Sequence, residues 1–246
     1  MKGPVSIILP TYNERENIGP LIQEIARHLY RESEIIVVDD DSPDGTWREV
    51  SRIELAAPKL RLLRRMRDHG LTASLRAGID MARHSTVVWM DADFSHPPSL
   101  LPRLLAAPES SDIVLASRYI PGGSDGRRSR LRKAVSVTLN RTAGSLLGCR
   151  TRDLSSGYLR VRKSVFKTIP LRGSYGDYCI DFLVRAELAG HSVLEIPFSN
   201  TEREHGSSKT THNPLIFLRY ALLYCRTVLR LRYETRCKPG RERPRR

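Results

Sequence analysis

Short, continuous apolar runs alternate along this chain with segments whose apolar residues recur at helical spacing. Residues 5–9 (Val-Ser-Ile-Ile-Leu), 34–39 (Glu-Ile-Ile-Val-Val-Asp), 60–63, 85–91 and 112–117 read as strands. After the first of them, Ile18, Leu21, Ile22, Ile25 and Leu29 fall on one face and predict an amphipathic helix over about residues 14–30. Leu71, Leu75, Gly78, Ile79 and Ala82 mark a second helix before the strand at 85–91. The strands are apolar throughout rather than alternating, so both faces of the sheet must be covered. The expected fold is therefore α/β, a mainly parallel, Rossmann-like sheet flanked by helices.

Polar clusters follow three of these strands. Thr11–Glu14, Asp39–Asp41 and Asp91–Asp93 all come where an apolar run stops. In an open parallel sheet, ligands bind beyond the carboxyl ends of the strands, so three acidic clusters converge on one edge. Asp91-Ala-Asp93 closes the apolar strand, and alternate positions point both carboxylates to the same side. Two carboxylates there suit Mg²⁺ or Mn²⁺, which also take phosphate oxygens.

The segment 212–231 has a different character. It is rich in Leu, Ile, Phe and Val, with Arg219, Arg226 and Arg230 at intervals of seven and four on a narrow stripe. Three arginines make crossing a membrane costly, whereas a helix lying in the interface can keep them in water. The tail 232–246 carries seven basic and two acidic residues together with Pro239, Gly240 and Pro244, and reads as a flexible basic segment drawn to anionic lipid. The expected organisation is a catalytic domain at 1–211, an amphipathic membrane-interface helix at 212–231 and a basic tail at 232–246.

Composition adds one positive statement and several exclusions. The net charge of +14 calls for an anionic partner. Nucleic acid fits this charge, but the chain lacks interleaved aromatic residues, and its acidic strand ends oppose such binding. Cysteines 149, 179, 225 and 237 are widely spaced, so neither a zinc ribbon nor a disulfide framework is indicated, and a reducing, cytoplasmic setting is expected. The first apolar run is too short for a signal-peptide core, and there is no run of about 20 apolar residues.

Three segments, Leu9-Pro-Thr-Tyr-Asn-Glu14, Val38-Asp-Asp-Asp-Ser-Pro-Asp-Gly-Thr46 and Asp91-Ala-Asp-Phe-Ser-His-Pro-Pro98, resemble family 2 glycosyltransferases. More narrowly, they are similar to the dolichol-phosphate (polyprenol-phosphate) mannose synthases. The likeness continues in order through Gly122-Gly123, Arg132-Lys133, Asp153-Leu-Ser-Ser-Gly157 and Arg203-Glu-His-Gly-Ser-Ser-Lys209. It implies a GT-A fold and an inverting, metal-dependent transfer of mannose from GDP-mannose to a polyprenol or dolichol phosphate. It also implies peripheral association with the cytosolic face of a membrane, with a small membrane-embedded protein as an optional partner. A UDP-sugar donor for glucose or an amino sugar is the alternative within the family; a nucleic-acid-binding protein ranks below both.

The same resemblance assigns positions. Pro10, Tyr12, Glu14 and Asp39 match those that hold the donor's nucleoside. Asp91 and Asp93 match the metal and diphosphate site, flanked by Ala92 and Ser95. Arg118, Arg203 and Lys209 match cationic positions around the phosphates, and Arg132, Lys133 and Ser136 match acceptor positions. Residues 127–133, with five basic side chains, are expected to form an acceptor loop at the membrane surface, whereas Arg61, Arg64, Arg65 and Arg67 read as a solvated edge. A lipid phosphate is already ionised near neutral pH, so no general base is required. His69, His96 and His205 are read as structural before catalytic. The sequence departs from the family pattern at Asp41, where glycine is usual, at Cys179 and Asp181, where many relatives carry Gln and Glu, and at Val137.

Overall fold

The structure, a computed structural model, describes residues 3–126, 130–200 and 214–236, the side chains of 130–132, 214–220 and 236 excepted. In chain order the elements are β1 (Ser6–Thr11), α1 (Arg15–Arg27), β2 (Glu34–Asp39), α2 (Thr46–Ser51), β3 (Lys59–Arg64), α3 (Leu71–Met81), β4 (Thr86–Trp89) and α4 (Leu101–Ala106). There follow β5 (Ile113–Ser117), β6 (Ser124–Asp125), α5 (Arg130–Leu147), β7 (Leu159–Arg162), α6 (Asp177–Leu188), β8 (Val193–Pro197), β9 (Ser199–Asn200) and α7 (Pro214–Arg236).

Seven strands form one sheet in the order β3-β2-β1-β4-β7-β5-β8, and every pairing is parallel except those of β7. The strands of the centre are apolar because both faces are covered. Ile7, Leu9, Ile35, Val37, Val88 and Val114 point to the layer containing α1, α2 and α4, whereas Ile8, Ile36, Val38, Val87, Trp89 and Leu115 point to the layer of α3, α5, α6 and α7. The predicted helix faces hold: Ile18, Leu21, Ile22 and Ile25 are fully buried on α1, and Leu75 and Ile79 are buried on α3.

Reversal of β7 matters for the site. Because it runs antiparallel to β4 and β5, the loop that precedes it, 153–157, lies at the same sheet edge as the loops that follow β1, β2, β4 and β5. The apolar-run reading missed β7, whose sequence Leu-Arg-Val-Arg is broken by charges. Arg160 is fully buried there and donates to the carbonyls of Leu104, Ala107, Pro108 and Ser111, so its charge meets the frayed end of α4 instead of water.

Two further expectations are corrected. Residues 130–133 are the first turn of α5 and not an acceptor loop; Asn140, Ala143 and Leu147 recur at helical spacing and turn that face inward. The C-terminal helix runs five residues beyond the predicted end and packs on α6 and α5, burying Thr227, Val228 and Leu231. Arg230 does not reach for lipid. Its Nη2 lies 2.7 Å from Oδ1 of the fully buried Asp181, whose Oδ2 binds Arg185 at 2.5–2.7 Å. Asp181, Arg185 and Arg230 are thus an ion-paired clasp between α6 and α7. The side chain of Arg219 and the tail 237–246 lie outside the described residues.

Gly78 is the point of closest approach between α3 and the sheet. A Cβ there would lie 2.5 Å from Cγ2 of Ile8 and 3.2 Å from Cγ2 of Val38, both fully buried. The Gly78→Ala substitution gains helix propensity, yet it is expected to lower the unfolding free energy by about 1–3 kcal/mol through overpacking, measured by denaturant titration.

Candidate active site

Two loops at the carboxyl edge are stitched residue by residue. Thr11 and Asp39, which end β1 and β2, are register partners. The Thr11 hydroxyl donates to Asp39 Oδ2 at 2.8 Å, the Asn13 N–H to Ser42 Oγ at 3.0 Å, the Glu14 N–H to Thr46 Oγ1 at 2.9 Å and the Arg15 N–H to Asp44 Oδ2 at 3.0 Å. Asp39 also accepts from the N–H and hydroxyl of Ser42. Burial raises the Asp44 carboxyl pKa, but the hydroxyl and N–H of Thr46 and the N–H of Arg15 outweigh it and hold the pKa below the usual value. Above this platform Tyr12 is 45% exposed, Pro10 and Glu14 are half-buried, and Asn13 takes a left-handed conformation with φ 57°.

Asp39, expected among the positions that hold the nucleoside, supports the platform from beneath. It is fully buried with both oxygens engaged, and acts by holding Thr11 and Ser42 in place. Its neighbours behave alike. Asp40 accepts from Arg65 at 2.7 Å, the Ser74 hydroxyl at 2.6 Å and the Gly70 N–H at 2.6 Å, tying the loop to α3. Asp41, at φ 55°, is bound by Arg64, whose guanidinium lies 3.8 Å from the Trp47 ring centroid. Arg61 binds Glu34 at 2.9 Å. Of the four arginines read as a solvated edge, Arg64 and Arg67 are exposed as expected, whereas Arg61 and Arg65 are partly buried against Glu34 and Asp40.

The third cluster begins two residues after β4 ends, so Asp91 and Asp93 sit on a bend and not on one strand face. Phe94, at φ 63°, completes the turn. The Asp91 side chain is half exposed and that of Asp93 is buried, with Oδ1 accepting from the N–H and hydroxyl of Ser95 at 3.1 and 2.6 Å. Ala92 is buried between them. The Asp91 N–H donates to Nδ1 of His96 at 2.9 Å, and the His96 ring stacks on Tyr158 with centroids 5.1 Å apart. His96 is thus a scaffold for the bend.

Across the edge, Arg118 grips Asp153. Nε and Nη2 bind the two carboxylate oxygens at 2.8 Å each, Nη2 also reaches the Ser155 hydroxyl at 2.8 Å, and both side chains are buried. Burial opposes both charges, but their attraction prevails: the Asp153 pKa lies below and the Arg118 pKa above its ordinary value. Beside this pair, Tyr119 meets Ser136 hydroxyl to hydroxyl at 2.7 Å. Lys133 is exposed on α5. The structure brings together Pro10, Tyr12, Glu14 and Asp39 on one platform, Asp91 to Ser95 on the bend, and Arg118 with Ser136 opposite. Arg203, Lys209 and the Arg132 side chain lie outside the described residues.

The family profile described as glycosyl transferase family 2 matches residues 6–169, which include the platform, the bend and the Arg118–Asp153 pair. The chain belongs to this family. Among curated relatives, it is 42% identical over 212 residues to the polyprenol monophosphomannose synthase of Mycolicibacterium smegmatis, covering 82% of this chain and 79% of that protein. It is 36% identical over 215 residues to the undecaprenyl-phosphate mannosyltransferase of Micrococcus luteus, covering 83% and 86%. It is 35% identical to the dolichol-phosphate mannosyltransferase of Pyrococcus furiosus over 83% of its own length but only 58% of that protein's. Among solved structures, glucosyl-3-phosphoglycerate synthase from Mycobacterium tuberculosis, crystallised with Mn²⁺, uridine diphosphate and glucosyl-3-phosphoglycerate, superposes with a TM-score of 0.68. That match has 21% identity and covers 94% of this chain and 80% of the other. The mannosyl-3-phosphoglycerate synthase of Rubrobacter xylanophilus gives 0.66 at 21% identity, covering 96% and 77%. The fold is the GT-A fold.

Within this glycosyltransferase, three site residues escaped the sequence reading: Thr11, Ser42 and Thr46, hydroxyls that tie the platform together. The signal was present in their position beside the acidic clusters, but the partner that each finds across the two loops lies 28 to 32 residues away in sequence. Asp153, quoted only as part of a motif, emerges as the counter-charge of Arg118.

The depressed Asp153 pKa fixes a pH dependence. A carboxylate held below its unfolded value contributes stability that is fully present above the ordinary aspartate pKa of about 4 and lost as pH falls through the folded one. Unfolding free energy is expected to decline on acidification below that point. Asp153→Asn should remove this contribution and cost about 3–5 kcal/mol at neutral pH, because Arg118 is left buried without its counter-charge. Denaturant titrations across the acid range check both outcomes.

Proposed function

We propose that this glycosyltransferase moves mannose from GDP-mannose to the phosphate of a polyprenol, with inversion, at a membrane surface. The observation that carries the reading is 42% identity, across four-fifths of the chain, to a polyprenol monophosphomannose synthase. The site's chemistry supports it. Tyr12, Glu14 and Pro10 present an accessible shelf for the nucleoside, and Asp39 keeps that shelf in register.

Asp91 and Asp93 fit Mg²⁺ or Mn²⁺. Both are hard oxygen donors, and no group of three or more His, Cys, Asp or Glu side chains gathers among the described residues. An ion held by only two carboxylates takes its remaining ligands from water and substrate phosphate, as Mg²⁺ does in phosphate-handling enzymes. When bound there, such an ion would offset the charge growing on the departing diphosphate. Ser95 fixes the Asp93 carboxylate, and Ala92 keeps the approach between the two acids free of bulk. The acceptor needs no base, since an ionised phosphate oxygen can attack the anomeric carbon directly. Arg118, its charge answered by Asp153, orders the acceptor side, with Ser136, Lys133, Arg132, Arg203 and Lys209 as the acceptor and phosphate contacts.

Transfer of radiolabelled sugar into a chloroform-soluble lipid tests this. Polyprenyl phosphate and Mg²⁺ or Mn²⁺ are supplied with either GDP-mannose or UDP-glucose. Label is expected from GDP-mannose alone and should vanish in Asp93→Ala. Label from UDP-glucose alone would overturn the donor, and metal-dependent turnover by Asp93→Ala would remove that residue from the ion's site.

Membrane contact is assigned to α7. No helix among the described residues is long and apolar enough to cross a membrane. Instead, Leu222, Leu229 and Tyr233 stand 61%, 69% and 70% exposed along one stripe of α7 with Arg226 beside them, while neighbouring α5 exposes Val135, Leu139 and Leu146. This suits shallow burial among lipid headgroups next to the acceptor. Deleting α7 would take Arg230 from Asp181 and uncover α5 and α6, so point variants are the cleaner test. Leu222→Glu with Leu229→Glu should reduce co-sedimentation with anionic liposomes and leave the unfolding midpoint unchanged; undiminished co-sedimentation would refute the assignment.

A further inference from the structure

The Ser155 hydroxyl is a junction. It accepts from Arg118 Nη2 at 2.8 Å and from Asn140 Nδ2 at 3.1 Å, and it donates to Asp153 Oδ1 at 3.1 Å. One donor and two acceptors exhaust what a hydroxyl offers, so its orientation is fixed by all three partners together. Asn140 lies on α5 and is 2% exposed. Its amide spans two elements: Nδ2 also donates to the Ser136 carbonyl at 2.8 Å, and Oδ1 accepts the Leu154 N–H at 2.8 Å. Ser136 in turn meets Tyr119, the residue after Arg118, through the 2.7 Å hydroxyl contact. The buried amide thereby closes a ring from α5 through the 153–155 loop to the end of β5.

We propose that Asn140 is a positioning residue for the transfer reaction, holding the Arg118–Asp153 clamp in register with the acceptor-side helix α5 through Ser155. The inference rests on the reading of α5 and Arg118 as the acceptor side. A capping or packing role alone would be met by the bonds to Ser136 and Leu154; the third bond, to a hydroxyl already committed to the arginine, is what connects Asn140 to the charge. Tyr224 of α7 approaches the same junction. Its buried hydroxyl contacts Ser155 outside hydrogen-bonding geometry, and burial, with Cys179 and Asp153 nearby, raises its pKa. The junction is therefore enclosed by both helices that carry the exposed apolar stripes.

The test uses the full chain and two readouts. Asn140→Asp keeps the shape of the side chain but removes both Nδ2 donors, and Ser155→Ala removes the junction. Each is expected to lower kcat for lipid mannosylation by about ten- to hundredfold, with the KM for the nucleotide donor within about twofold of the parent, because the nucleoside platform lies on other loops. The double variant should be no slower than the slower single one, since both act on one chain of bonds. Independently of turnover, NMR hydrogen exchange at the Arg118 Nε–H should accelerate in both single variants. Additive losses in kcat, or exchange at Arg118 unchanged by Asn140→Asp, would overturn the proposal. If the parent chain transfers no mannose, the functional reading fails while the exchange measurement still decides whether Asn140 holds the arginine.

Discussion

The active-site half of this fold depends on one buried ion pair. Arg118 ends the run that begins in β5, Asp153 opens the loop into β7, and each would be costly to bury alone. Their bidentate contact makes the burial tolerable and thereby fixes where two neighbouring strands of opposite direction end. Because β7 is the reversed strand, its leading loop lies among the trailing loops of the parallel strands. The pair is thus a topological fastening, which works with the Leu154–Asn140 bond and the β4–β7 pairing to set the segment carrying Ser155 and Gly157 against Asp91. A Cβ built on Gly157 lies 3.8 Å from Asp91 Oδ1, which shows how closely the two loops approach.

The acids at the strand ends divide by burial into two kinds of work. Asp39, Asp40 and Asp153 are enclosed and answered by hydroxyls, N–H groups or arginine; they shape loops. Asp93 is buried as well and accepts from Ser95, whereas Asp91 keeps about half of its side chain in solvent. Convergence of carboxylates on one edge is a consequence of the parallel sheet. How far each carboxylate is exposed depends on how many donors its loop provides. This explains how three similar-looking clusters come to differ in role.

Continuous apolar strands, the faces of α1 and α3 and the position of the acidic clusters were legible because each depends on local periodicity. β7 was not, since Arg160 and Arg162 interrupt its pattern, and the buried Arg160 is accommodated by carbonyls at and after the end of α4, some fifty residues earlier. The arginines of β3 misled for the same reason: Arg61 and Arg65 find Glu34 and Asp40 by strand pairing, which no local window contains. Within the site, the motif residues were legible by resemblance. The hydroxyl network around Ser155 and Asn140 was not, because it joins residues 118, 140 and 155 through tertiary contact alone.

The same distinction refines the meaning of the large positive charge. Arg61, Arg64, Arg65 and Arg118 each face an acidic partner of their own within the domain, and Arg185 and Arg230 share Asp181, so together they add little to the surplus that an external anion would feel. What remains is concentrated in sequence. Residues 127–133 and 232–246 each carry a net +5 out of a total of +14. The first leads into α5 and the second continues from the end of α7, and these two helices pack on one another while exposing apolar stripes. Basic segments adjoining an apolar face form the pattern that draws a protein onto an anionic bilayer, where each basic residue near the surface contributes about 1 kcal/mol. A nucleic-acid groove would instead place cations between aromatic residues along a concave track. In sequence, the surplus charge adjoins the two helices that carry the exposed hydrophobic stripes, and Asn140 of α5 and Tyr224 of α7 lie on those helices.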